Sequence, residues 1–210
     1  MSRVDDEDFS YDPGDYYEYV ERMEQEVIER FTEERLQSLY TAQPLLALPA
    51  VGSLKEAQAL LDSHPTAALV FAAIAVEIGV RDVLLKPIVY GLVQSDSVAS
   101  LVADLIAAHK ADRVRKLLFR IFQEHIGLSL DTHSRPGARQ TPWEEIQLVR
   151  GNRNDVLHRG ITVEPAMAVS AIHTAAYILQ GVFPSAMGFL NLHLHEGLKV
   201  CAERSCKPTA

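Results

Sequence analysis

The sequence has few cysteines, few aromatic residues and no apolar run as long as a membrane span, and each scarcity excludes a class of protein. The two cysteines, Cys201 and Cys206, lie among the last ten of 210 residues, so no disulfide framework can span the chain. This cysteine usage is typical of a reducing compartment, and we expect a cytoplasmic protein. The longest apolar run begins at Thr66, is too short to cross a bilayer and contains Glu77. The first residues are acidic, so we expect neither a secretory signal peptide nor a membrane partner.

The composition favours helices over strands. Apolar residues make up 48% of the chain and aromatic residues 7%, and Ala and Leu dominate over the β-branched residues that favour strands. No segment alternates apolar and polar residues as a half-buried strand does. We therefore predict an all-α protein with a single helical-bundle domain of six to eight helices over residues 14–200. A flexible acidic leader at 1–13 and a flexible tail at 201–210 are expected to flank it.

Apolar spacing and helix stop signals predict where the helices lie. The predicted helices are at about 15–41, 54–63, 63–87, 98–110, 111–126, 141–158 and 165–180, and a short amphipathic tail follows them. In the third, Ser63 is the expected N-cap, and Pro87 ends or kinks the helix. Thr162 is the expected cap of the last. The third helix is apolar nearly all round, so we expect it to be the buried centre of the bundle.

The negative charge of the chain is concentrated at its N-terminus. Residues 1–35 contain thirteen acidic residues and four arginines, a charge of −9, whereas the whole chain carries −8. The stretch 110–159 contains ten basic and six acidic residues, a charge of +4. An overall acidic balance therefore does not exclude a polyanionic partner for the middle of the chain.

The most polar stretch inside the predicted bundle is RGNRNDVLHRG, at residues 150–160. It follows TPWE, which predicts a capping box in which the Thr141 side chain caps the helix and Glu144 reaches back to the cap. Gly160 is the expected glycine that follows the last helical turn. The polar stretch therefore forms the second half of one capped helix.

Counting about 100° per residue places an arginine on the apolar side of this helix. The residues that form the apolar stripe are Ile146, Val149, Val156 and Leu157. Arg153 lies in the middle of the stripe, where an aliphatic residue is expected. Arg150, Asn154 and His158 are spaced four residues apart and align beside it.

An arginine that points into a bundle requires an anion, because an unpaired buried charge costs several kcal/mol. Glu77 lies in the apolar central helix, where an ionised carboxylate has the same need. We predict that Glu77 and Arg153 pair across a helix–helix contact, with Arg81, one turn beyond Glu77, as a further member of the cluster.

RNDVLH, at residues 153–158, resembles the R-N-x-x-x-H form of the HEPN-domain motif, which is more generally R-x4–6-H. The surroundings are similar too: a helix runs into the motif, a glycine stop and a capped helix follow it. The alanine-rich helix HPTAALVFAAIAVEIGVRDVLL resembles the core helix of that family. The resemblance covers about residues 53–180, and it implies a HEPN-like fold and a homodimer that brings two motifs to one cleft.

Many HEPN proteins are metal-independent endoribonucleases that act as toxins or in antiviral defence, and the resemblance implies this activity. Arg153 and His158 would be the catalytic pair, with Asn154 as a polar orienting residue. RNA supplies its own nucleophile, the 2′-OH, so the protein has only to move protons and stabilise the phosphate charge. The product would be a 2′,3′-cyclic phosphate, formed with no cofactor and no metal.

Other basic residues extend the predicted RNA contact. Arg159 adjoins His158, and Arg135 and Arg139 lie in the loop before the motif helix, although an ordinary solvated loop is an equal alternative for these two. A further set is more typical of a solvated helix face than of an RNA track: Lys110, Arg113, Arg115, Lys116 and Arg120.

Two other interpretations remain open in the sequence. The HEPN family also contains non-catalytic members, so the alternative function is an RNA-binding or protein-interaction subunit of a two-component system. The acidic leader suits docking on a basic partner, such as an antitoxin or a regulatory protein. His193 and His195 form a His-x-His pair that suits a metal on a strand. On a helix the two side chains point about 200° apart, so no metal site is predicted, and the spacing of Cys201 and Cys206 adds little.

Overall fold

The computed structural model describes residues 13–92 and 137–203, together with residues 98, 119–120, 123–124, 129–132, 134–135 and 206. Within these residues the chain is mostly helical, with one short two-stranded sheet, which confirms the all-α class. Most of the two helices predicted at 98–110 and 111–126 lies outside the described residues, as do leader residues 1–12.

The elements in chain order are α1 (Pro13–Ala42), α2 (Leu48–Leu60), α3 (Pro65–Ile78), α4 (Lys86–Leu92), α5 (Pro142–Arg159), α6 (Pro165–Tyr177), α7 (Phe183–Phe189), β1 (His193–His195) and β2 (Lys199–Cys201). Two π-helical segments, Gly79–Leu85 and Ile178–Val182, join α3 to α4 and α6 to α7. The 3-10 turn Glu196–Leu198 joins the two strands.

Helix α3 forms the centre of the bundle, as the sequence predicts, and packs against α2, α5 and α6. The side chains that make it apolar on most sides are small, which lets its neighbours approach closely. Its buried residues are Ala68, Leu69, Ala72, Ala73, Ala75 and Val76. The only acidic residue of α3 is Glu77, which lies in the last turn and contacts α5.

Several helix boundaries differ from the prediction because proline starts helices as well as ending them. Helix α2 begins at Leu48 and includes Pro49 in its first turn, six residues before the predicted start. Helix α3 has His64 at its N-cap position rather than Ser63, and α6 has Glu164 there rather than Thr162. Pro87 lies in the first turn of α4, after the π-helical segment, so it does not end the helical run.

The two π-helical segments cross at Gly79. A Cβ atom at this position would lie 3.1 Å from Cγ2 of Ile178 and 3.3 Å from Cδ2 of Leu179. Helix α1 is attached to the first of these segments, because the Tyr40 hydroxyl donates a 2.8 Å hydrogen bond to the Val83 carbonyl. Burial raises the pKa of Tyr40 above its ordinary value, which keeps this hydroxyl a donor.

The C-terminal part is a β-hairpin and not the predicted amphipathic tail. In its antiparallel register His193 faces Cys201 and His195 faces Lys199. The Val200 N–H donates a 2.9 Å hydrogen bond to the Pro44 carbonyl, which attaches the hairpin to the loop before α2. The tail predicted from residue 201 onward therefore begins inside β2, and Cys206 contacts His195.

The stretch Pro165–Phe189 is long and apolar enough to cross a membrane by length and composition, so the prediction that no stretch qualifies was too strict. It comprises α6, the second π-helical segment and α7. Half of its most apolar window is buried inside the protein. Because α6 packs against α3, this burial by itself explains why the stretch is apolar.

Candidate functional site

Helix α5 carries the motif and is fixed at both ends by the predicted caps. The Glu144 N–H donates to the Thr141 hydroxyl at 3.3 Å, and the Thr141 N–H donates to Oε2 of Glu144 at 2.9 Å. This reciprocal capping box satisfies two N–H groups that the first turn leaves open. At the other end Gly160 has φ 64°, and its N–H donates to the Val156 carbonyl at 3.0 Å.

The buried face of α5 follows the prediction in its first half and departs from it in the second. Ile146 and Val149 are buried, and Val156 packs against the core. Leu157, which was predicted to face the core, is 56% exposed. Helices that cross at an angle touch over only part of their length, so a residue of a regular stripe that lies beyond the contact, such as Leu157, can face solvent.

The predicted ion pair between α5 and α3 is present. Arg153 donates a hydrogen bond from Nη2 to Oε1 of Glu77, and Nε of Arg150 lies 3.9 Å from the same oxygen. The Arg153 and Glu77 side chains are 23% and 32% exposed, so the pair lies at the edge of the core and within reach of solvent.

Arg150 is the more buried of the two arginines, although the sequence placed Arg153 inside and Arg150 beside the stripe. Its side chain is 10% exposed, and its guanidinium carbon lies 5.8 Å from the centre of the Trp143 ring. Burial, and secondly the positive charge of Arg81, lower the pKa of Arg150 below its ordinary value. The sequence signal for this burial is the spacing of seven residues between Trp143 and Arg150, which places both side chains on the same face of the helix.

Arg81 joins the cluster from the first π-helical segment. It donates from Nε and Nη2 to the two carboxylate oxygens of Asp82, at 3.0 and 2.6 Å. Glu77, Arg150 and Arg153 form one group of ion pairs, and the Arg81–Asp82 pair lies near it, because the charge of Arg81 acts on Arg150. These five residues are here called the arginine cluster.

The remaining motif residues face solvent. Asn154, His158 and Arg159 are exposed, and Nη1 of Arg159 lies 3.2 Å from Oδ1 of Asp155, one turn earlier. On a regular helix His158 lies about 140° around the axis and about 7.5 Å along it from Arg153. A single chain therefore separates the predicted catalytic pair, with Arg153 in the arginine cluster and His158 on the outer surface.

Of the two loop arginines, Arg135 has a structural role as the partner of a buried carboxylate. Nε of Arg135 donates to both oxygens of Glu145, at 3.0 and 2.8 Å, and the Glu145 side chain is only 7% exposed. A buried carboxylate needs this partner, so we assign Arg135 to the fold rather than to an RNA contact. Arg139 is exposed and remains a candidate for that contact, as does Arg120.

His193 and His195 lie on a strand and not on a helix, so the reason for predicting no metal site does not hold. Together with Cys201 and Cys206 they offer four ligand atoms within 4.8 Å of one another. The sequence signal that was available is the His-x-His pair followed by Gly197, whose φ of 73° closes the hairpin. Two strands of three residues are too short to show an alternating pattern.

Comparisons of the chain with protein-family models, with curated proteins and with solved structures found no match. The resemblance to HEPN domains therefore depends on the residues of α3 and α5.

Proposed function

We propose that this protein is a metal-independent endoribonuclease of the HEPN type, which cleaves RNA by attack of the 2′-OH. The observation that carries the proposal is that helix α5 holds Arg150 and Arg153 in the arginine cluster, at the edge of the core, and presents His158 to solvent. A phosphodiester carries one negative charge, and guanidinium groups bind phosphate oxygens through charge-assisted hydrogen bonds. RNA is the polyanion that also brings its own nucleophile.

Arg153 is suited to stabilise the reacting phosphate. A guanidinium has five N–H donors, and the hydrogen bond to Glu77 uses Nη2, which leaves donors on the other nitrogens. The pairing also fixes the orientation of the group before RNA binds, and a preoriented charge needs little reorganisation during the reaction. Its 23% exposed side chain is accessible from solvent.

His158 is suited to move protons, because the two ring nitrogens of an imidazole can accept and donate a proton. In the proposed homodimer His158 of one subunit removes the proton from the 2′-OH while the O2′–P bond forms. The partner subunit's His158 protonates the 5′-oxygen as the P–O5′ bond breaks, which yields a 2′,3′-cyclic phosphate. The dimer is needed because one chain holds Arg153 and His158 on different sides of α5.

The test is cleavage of mixed RNA by the full chain in the presence of a chelator, with identification of the cyclic phosphate. We expect His158→Ala to slow cleavage by about 10²–10⁴-fold, the range for general acid–base groups, without loss of stability. His173→Ala, an exposed histidine of α6, is the matched control and should retain full activity. Wild-type rates in His158→Ala would overturn the assignment.

The test at Arg153 needs a readout of folding beside activity, because its removal leaves Arg150 as the remaining cation near Glu77. Arg153→Ala should lose activity, and Arg153→Lys, which keeps the positive charge without the planar guanidinium, should retain only part of it. If Arg153→Ala keeps the wild-type rate, the contribution of Arg153 is to the fold and not to the phosphate. Circular dichroism of each variant reports whether α5 is still folded.

A non-catalytic interaction subunit is the second candidate, and exposed apolar residues favour it. Leu148 and Leu157 on α5 are 47% and 56% exposed, and Ile161 after it is 43% exposed. Such side chains suit a protein partner, for example the antitoxin or regulator of a cytoplasmic defence system. Salt separates the candidates: RNA binding should weaken steeply as salt rises, whereas docking through apolar side chains should not.

A further inference from the structure

The C-terminal hairpin gathers four side chains that are common metal ligands. His193 and Cys201 are directly opposite each other in the antiparallel register, and His195 lies two residues from His193, on the same face of β1. The two imidazole rings have centroids 5.0 Å apart. Sγ of Cys206 lies 3.1 Å from Nε2 of His195, which brings the segment after β2 back to the hairpin.

The separation of the donor atoms fits a tetrahedral ion. One ligand atom from each of the four residues lies within 4.8 Å of the other three. Zinc bound to two nitrogens at about 2.0–2.1 Å and two sulfurs at about 2.3 Å needs donors roughly 3.3–3.8 Å apart. Side-chain shifts of about 1 Å or less would therefore bring all four atoms to bonding distance.

The burial of the cluster is a second, independent indication. All four side chains are half-buried, and among the described residues Nε2 of His193 is buried without a hydrogen-bond partner. Buried polar atoms are seldom left in this condition, so such an atom requires an explanation. Binding of a cation by His193 together with the two thiols and the second imidazole would give this nitrogen a partner.

We propose that His193, His195, Cys201 and Cys206 bind one zinc ion. A donor set of two sulfurs and two nitrogens in tetrahedral geometry favours zinc over the hard cations calcium and magnesium. Four protein ligands leave no position for a substrate or an activated water, so the site is structural. It shares no residue with the arginine cluster and does not depend on the proposed ribonuclease activity.

The ion would add cross-links to a small element. The two strands are three residues long each, and apart from their own pairing they are held by packing of Leu194, Leu198 and Val200 on the core. Zinc would link β1, β2 and the segment that contains Cys206, and the Val200–Pro44 hydrogen bond then connects the whole unit to the bundle. The ion thereby stabilises the C-terminal end of the domain.

The first test is the metal content of the full chain, purified under reducing conditions without chelator and measured by elemental mass spectrometry. We expect about one zinc per chain. After removal of the metal, titration with Co²⁺ should produce the absorption bands of a tetrahedral cobalt–thiolate complex. Zinc at about a thousand times its Kd should raise the Tm by roughly 8–16 °C over the metal-free chain.

Variants assign the ligands. Cys201→Ser, Cys206→Ser, and His193→Ala should each lose the cobalt–thiolate spectrum or change its coordination, whereas the control His173→Ala should keep it. The proposal is overturned if the wild-type chain contains less than about a tenth of an equivalent of zinc and gives no cobalt spectrum. A Cys201–Cys206 disulfide in the chain as isolated would overturn it as well. Both of these outcomes are read on the wild-type protein, so they stand even where a variant fails to fold.

Discussion

Arg153 of α5 donates a hydrogen bond to Glu77 of α3, although 76 residues separate the two in the sequence. Arg150 approaches the same carboxylate oxygen, with its Nε at 3.9 Å. One carboxylate therefore lies between two guanidinium groups, and the contact joins the motif helix to the centre of the bundle. Its loss would leave two like charges side by side.

This arrangement predicts that Glu77 and Arg153 contribute unequally to the free energy of unfolding. Glu77→Gln should lower the free energy of unfolding by about 2–4 kcal/mol, because both arginines lose their counter-ion. Arg153→Gln should lower it by about 1–2 kcal/mol, because Arg150 still faces Glu77. Urea denaturation measures both values, with exposed Glu56→Gln on α2 as the control, expected within about 0.5 kcal/mol of wild type. An Arg153→Gln cost equal to or above that of Glu77→Gln would contradict the shared-carboxylate arrangement.

The assignment of Arg135 to the fold gives a second prediction. Arg135→Ala leaves the 7% exposed Glu145 carboxylate without this cation, and should lower the free energy of unfolding by about 2–4 kcal/mol. Arg139→Ala, an exposed neighbour in the same loop, should change it by less than about 0.5 kcal/mol. Thermal and urea unfolding check both values. If Arg135→Ala weakens RNA binding at unchanged stability, the loop contacts RNA as the sequence first suggested.

The capping box at the start of α5 gives a third prediction. Thr141→Ala removes the hydroxyl that accepts from the Glu144 N–H, and should cost about 1 kcal/mol of stability. Thr141→Ser retains the hydroxyl and is the matched control, expected within a few tenths of a kcal/mol of the wild type. Equal losses in both variants would mean that the threonine methyl group, and not the cap, stabilises the helix.

The crossing of the two π-helical segments gives a fourth prediction, based on two helical glycines. Gly151→Ala on α5 meets no atom within 4 Å and should stabilise the protein by about 0.5–1 kcal/mol, the helix propensity of alanine over glycine. Gly79→Ala brings a methyl group to 3.1 Å from Ile178, which offsets that gain. Gly79→Val should cost about 1–3 kcal/mol by overpacking. A gain at Gly79→Ala as large as that at Gly151→Ala would refute the close crossing.

Local signals in the sequence predicted the ends of α5, and a charge requirement predicted the Glu77–Arg153 pair. Thr141 with Glu144 and then Gly160 act within a few residues of their own positions, so no tertiary information is needed to read them. A lone acid in an apolar helix and a lone arginine in an apolar stripe need each other whatever the detailed packing is. These are the parts of the site for which the sequence is sufficient.

The features that the sequence did not predict depend on contacts between distant elements. The π-helical segment Gly79–Leu85 was not predicted, because nothing in the apolar spacing distinguishes it from the α-helix that precedes it. The burial of Arg150 depends on how α5 is rotated against α3, which a regular stripe does not fix. The hairpin was missed because its three-residue strands give no periodic signal.

The division of α5 between an inner arginine and an outer histidine has a consequence for how related chains are to be judged. Selection for a stable bundle is enough to preserve Arg153 and Glu77, whether or not a chain has the proposed activity. His158 faces solvent and does not belong to the described hydrophobic core, so packing does not explain its retention. Under the proposed function, the presence of the histidine in related chains would therefore report selection for its chemistry, whereas the presence of the arginine would not.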